Sequence, residues 1–149
     1  MITLIPEKID FQISTTDVEL IYTETKSKIN IEGQTLEQYL DGKFYSELKI
    51  TFEKVAEVKC TTLNFYEFNY NNYEIFNINE DLEKVEFWRK NNYNPDSGFY
   101  QIDNSEWLKT KSNIYDPKNR LNLKHFLIVG YDSYIELLAS KYECLITSR

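Results

Sequence analysis

The residues best able to do chemistry in this chain are its one histidine, His125, and a glutamate eleven positions later, Glu136. A histidine beside a carboxylate is an acid–base pair that can move protons near neutral pH. Reading Tyr131-Asp132 as a two-residue hairpin loop sets Ile128 opposite Ile135, Phe126 opposite Leu137 and Leu127 opposite Glu136. On that register His125 lies diagonally from Glu136, within side-chain reach. The same face carries Leu127, Val129, Tyr134 and Leu138, and a histidine on an apolar strand most often packs and hydrogen-bonds inside a core. No nucleophile announces itself: GxSxG is absent, and Asp132-Ser133 reads as a turn whose side chains bond the local backbone.

Other chemistries have less support. Cys60 and Cys144 form no CxxC pair, and their apolar, strand-like surroundings predict buried free thiols. The acidic run Glu80-Asp81-Leu82-Glu83-Lys84-Val85-Glu86 lacks the glycine and the spacing of a calcium loop, so no metal site is expected. With 4 glycines and neither GxxxxGK[ST] nor GxGxxG, no nucleotide cofactor is expected either.

The net charge is −7. Residues 1–108 hold 10 Lys and Arg against 20 Asp and Glu, whereas residues 109–149 hold 7 against 4. A nucleic-acid binder needs a basic face to displace counterions, and this balance argues against one. An acidic surface suits a basic protein partner, whose encounter it steers. Glu80, Asp81, Glu83 and Glu86 are the candidate charged contacts, with Tyr70 and Tyr73 as aromatic ones.

These groups need a frame, and 149 residues suit a single domain, 1–149. No run approaches the length of a membrane span, and the first residues lack a basic, apolar leader, so a cytoplasmic protein is expected. Apolar residues alternate at Ile9-Phe11-Ile13 and Val18-Leu20-Tyr22, read as one hairpin around Thr15-Thr16-Asp17. The alternation recurs at Ile29-Ile31 and Leu48-Ile50-Phe52, then continues at Val58-Cys60 past an irregularity near Lys54 to Ala56. Asn64 to Ile78 reads as a hairpin turning at Asn71-Asn72, pairing Tyr70 with Tyr73.

Thr35-Leu36-Glu37-Gln38 fits a capping box ahead of a short helix to Leu40, with Gly42 ending it. Asp81 to Lys90 fits helix or strand, and Ser105 to Thr110 fits one helical turn carrying Trp107. The fold class is mainly β: an antiparallel sandwich or partly open barrel with one or two short helices, and no parallel sheet.

Three further segments carry a resemblance. They are Pro95-Asp96-Ser97-Gly98-Phe99-Tyr100, Asn104-Ser105-Glu106-Trp107-Leu108, and His125 to Ala139. Together they resemble a family of small uncharacterised bacterial proteins. Several such families are regarded as immunity proteins, and the resemblance implies a non-catalytic protein-binding domain that neutralises a toxin. The alternative is a small-ligand-binding or hydrolytic β-barrel using His125 and Glu136.

Overall fold

The computed structural model describes residues 1–149 except Thr16, Tyr70, Asn77, Asn79, Glu80, Asp81, Leu82 and Arg149, and for Ser148 the backbone alone. In chain order the elements are β1 (Ile2–Pro6), β2 (Gln12–Ile13), β3 (Glu19–Tyr22), β4 (Lys26–Gln34), α1 (Leu36–Asp41), β5 (Ser46–Glu53), β6 (Glu57–Thr61) and α2 (Phe65–Phe68). They continue with β7 (Tyr73–Ile75), α3 (Lys84–Asn91), β8 (Phe99–Asp103), α4 (Glu106–Tyr115), β9 (Lys124–Val129), β10 (Tyr134–Ala139) and β11 (Lys141–Ser148).

The strands form two sheets, and neither closes into a barrel. Sheet A runs β6-β10-β9-β8-β1-β7, and sheet B runs β11-β5-β4-β2 with β3 also on β4. The chain changes sheet where its alternation breaks. Lys54, at φ 53, ends β5 in sheet B, and Glu57 then opens β6 in sheet A. Ser140 makes the return step between β10 and β11.

The inward phase of each strand fills the space between the sheets. Ile29, Ile31, Leu48, Ile50 and Phe52 of sheet B meet Phe99, Phe126, Ile128, Ile135 and Leu137 of sheet A. Phe52, Phe99, Phe126 and Tyr142 stack at centroid distances of 4.7 to 6.0 Å, offset and tilted as aromatic quadrupoles prefer. Gly33 allows the β2–β4 contact, since a Cβ there would lie 2.1 Å from the Gln12 carbonyl oxygen.

A second apolar cluster sits on the far side of sheet A. Leu4, Tyr100, Ile102, Leu127, Val129 and Tyr134 are covered by Phe65 and Tyr66 of α2, beside Tyr73 and Ile75. Sheet A is thus apolar on both faces.

Several expectations hold. The mainly β antiparallel fold is observed, as is the β9–β10 register, with Leu127 opposite Glu136. Thr35 and Gln38 form the complete capping box, and Gly42 closes α1 at φ 68. Other expectations need correction. The described residues contain four helices, not one or two. Phe65–Phe68 is helical, capped by Asn64, so the Asn64–Ile78 hairpin does not form. Its second half, β7, instead pairs parallel to β1, the one parallel ladder described. The Tyr70–Tyr73 pairing lies outside the described residues.

β2 and β3 do not pair with each other, because both lie along the longer β4. Of the Asp81 to Lys90 stretch, the part from Lys84 on is helical, in α3, whose buried Trp88 gives its Nε1–H to Asp10, while Asp81 and Leu82 lie outside the described residues. Cys60 and Cys144 are free, but both are exposed rather than buried. They lie on β6 and β11, the strands at which the two sheets end.

Candidate binding face and the buried histidine

The outward phase of sheet B is polar, because Lys, Asn, Glu and Thr alternate with the buried residues of β4 and β5. Register then sets their neighbours. Glu32 lies opposite Glu47, and Glu47 opposite Thr147. In the next row Glu19, Asn30, Lys49 and Leu145 follow one another across four strands. The Asn30 amide donates to Glu19 at 2.6 Å.

These rows form the floor of a groove of about 730 Å³. Among the described residues, four carboxylates line it, Asp17, Glu19, Glu32 and Glu47, against one cation, Lys49. Its walls include two exposed tyrosines. Tyr45 enters β5, and Tyr131 sits on the β9–β10 hairpin tip. The hairpin tip is fixed there: the Tyr131 N–H donates to the Thr15 carbonyl at 2.9 Å, and its hydroxyl bonds Ser14. Beyond Tyr45, Leu40 and Phe44 are 52% and 63% exposed, enough to offer a contact. Among the described residues no three His, Cys, Asp or Glu side chains converge to hold a metal ion.

The second cluster lies under α4, on the outer face of sheet A. The expected contact forms: His125 Nε2 is 2.9 Å from Glu136 Oε1. A third member joins it, with Ser105 Oγ 2.6 Å from His125 Nδ1. Ser105 is the N-cap of α4, and its Oγ accepts the Leu108 N–H at 3.0 Å. One set of proton positions satisfies every group. Leu108 donates to Ser105, Ser105 donates to Nδ1, and Nε2–H donates to the Glu136 carboxylate.

Serine, histidine and glutamate are the constituents of a hydrolytic triad, but here the serine and the histidine are buried and only the glutamate is partly exposed. Ser105 is 6% and His125 5% exposed. The Trp107 ring stands edge-on to the imidazole at 4.9 Å, and Lys59 Nζ lies 3.8 Å from the centre of that ring. The cluster joins a helix cap to two strands, which is what a buried polar network needs in order to stay satisfied.

The remaining predicted site residues lie elsewhere. Glu83 is the N-cap position of α3, and Glu86 is exposed in its first turn. Tyr73, on β7, packs against Phe65 and Tyr66, and burial first, then Asp96, pushes its phenol up. Glu80, Asp81 and Tyr70 lie outside the described residues. Although Cys60 and Cys144 are exposed, partial desolvation pushes both thiols up, with Glu7 adding to the shift at Cys144. Neither is therefore an activated nucleophile.

Sequence reasoning missed the groove carboxylates and Ser105. The four acids occupy polar positions that look like ordinary solvated alternation until register joins them. Ser105 was signalled only as the start of a helical turn. Comparison with protein-family models, with curated proteins and with solved structures gives no match. No described helix is long and apolar enough to cross a membrane.

Proposed function

We propose that this chain is a non-catalytic protein-binding domain that recognises a basic partner on the outer face of sheet B. The observation that carries this is the groove, where among the described residues four carboxylates face one lysine between exposed tyrosines. Low local dielectric along a groove raises the field of its charges and steers an oppositely charged partner into place. Tyr45, Tyr131 and the nearby Phe44 supply rigid aromatic area, the usual source of binding energy around such a site.

The resemblance over residues 95–143 gives the proposal its concrete form, an immunity-type protein that neutralises a basic toxin. On this reading the acids compete with the phosphates of the toxin's substrate. Exposed Glu83 and Glu86, at the start of α3, are further candidate charged contacts. The cytosol, where such a toxin acts, is the compartment this reading implies.

A second reading is favoured by the hydrogen-bonded Ser105–His125–Glu136 chain, which has the composition of a hydrolase site. Enclosure by Trp107 argues for a structural role instead.

The test is titration of the chain with the product of the adjacent gene across a range of salt concentrations. Exposed charges are screened beyond roughly 8 Å at physiological salt, so affinity should fall steeply as salt rises. The Asp17→Lys, Glu19→Lys double variant should bind more weakly while keeping its fold. Binding that ignores both salt and charge reversal would remove the proposal.

A further inference from the structure

Sheets end in strands with unpaired backbone groups, and proteins blunt such edges by keeping them short, charging them or covering them. Four of the edge positions here are short. β2 has 2 residues, β7 has 3, β3 has 4 and β6 has 5, with Lys59 at the middle of β6. β11 is different. It runs for 8 residues along β5 and ends sheet B. Among the described residues, no backbone hydrogen bond outside the β5 ladder reaches it. Lys141 and Glu143 to Thr147 are exposed, with Leu145 at 61% and Ile146 at 40%, so the edge is open and partly apolar.

We infer that β11 takes up an extended segment of the basic partner as an added strand, with Lys or Arg at alternate positions over the acidic groove. The inference rests on the proposed binding of a basic partner and adds how that partner is held. An added strand gains main-chain hydrogen bonds from the edge, and its alternate side chains read one face of the sheet. On the outer face those side chains would fall beside Leu145 and Thr147, which line the groove. Two strand spacings, roughly 10 Å, separate the added strand from β5. A long basic side chain passing over the short Thr147 meets Glu47, which lies opposite Thr147 on β5.

Charge selects a foreign strand over a second copy of this chain. The outer face of β11 offers Lys141 and Glu143, which cancel, and Lys141 is already paired with Glu53 at 3.2 Å. A second copy pairing through its own β11 would therefore bring no net positive charge from the described residues of that strand.

The test uses two synthetic probes, the octapeptide (Lys-Val)4 and the same peptide N-methylated at every peptide nitrogen. Both keep the full charge, but the second cannot donate backbone hydrogen bonds from either edge. The unmodified peptide should slow hydrogen exchange at those β11 amides not bonded to β5. The methylated peptide should bind more weakly by roughly tenfold or more. Equal affinity for the two would overturn strand addition while leaving charge-driven binding intact. Failure of both to bind at low salt would overturn the proposed function with it. Protection of β11 that rises with protein concentration, without peptide, would make the occupant a second copy and also overturn the inference.

Discussion

The outer faces of the two sheets differ in kind. On sheet A, Leu127, Val129, Tyr134 and Leu138 point away from the other sheet and are all buried, while α2 and α4 pack over that side. On sheet B the equivalent positions are Glu32, Glu47, Lys49, Thr51 and Leu145, with no described helix packed over them. A sheet buried on both faces gains stability from both. A sheet buried on one face leaves the other free to change without loss of the fold. The contrast separates a covered face from a bare one, and the Ser105–His125–Glu136 chain lies on the covered one.

The largest expected difference comes from truncating one leucine on each face. Leu127→Ala, at a fully buried position, should cost about 2–5 kcal/mol in denaturant unfolding. Leu145→Ala, on the bare face, should stay within roughly 0.5 kcal/mol of the parent. Comparable losses at the two sites would erase the distinction.

The polar links should come next. Removing the imidazole in His125→Ala leaves Ser105 and Glu136 without their partner and should cost about 1–3 kcal/mol. Ser105→Ala also deletes the cap of α4, for about 0.5–2 kcal/mol. A chain that loses a hydrolytic activity on His125→Ala, with stability unchanged, would move the histidine from scaffold to site.

The Asp17→Lys, Glu19→Lys double variant should change stability by no more than about 0.5 kcal/mol. Its affinity for a basic partner should nonetheless drop, and the gap should narrow as salt rises.

The smallest effect should appear at the seam between the sheets. Burial pushes the Glu7 carboxyl up, against the Tyr142 hydroxyl that donates to it at 2.7 Å and the nearby Lys124 charge. A folded-state pKa above the unfolded value means the native state holds its proton longer. Stability is therefore lost as pH rises from the ordinary glutamate value to the raised one, then levels off. Glu7→Gln should flatten that decline in pH-dependent unfolding. An unchanged slope would show that another group produces it.

Much of this frame was legible in the residues. Period-two alternation located the inner faces of β4 and β5, and the loop at Tyr131-Asp132 set the register that brings His125 to Glu136. The capping box at Thr35 gave α1 to within a residue. What failed were segments decided by tertiary contacts. Asn64–Phe68 reads as strand by its aromatics, yet Asn64 caps a short helix whose Phe65 packs on Tyr134 at 5.2 Å. The β1–β7 pairing is parallel and joins residues about seventy positions apart, a distance at which local pattern carries no information. The groove failed for the same reason. Glu19, Glu32 and Glu47 come from three strands, and alternation alone does not reveal which strands are neighbours.

The most direct test of the account is a hydrogen-exchange footprint of the chain bound to the product of the adjacent gene. Protection should fall on β3, β4, β5 and β11, with amides of α4 and around His125 unchanged. Protection centred on α4 and the strands beneath it, with sheet B exchanging as in the free chain, would contradict it.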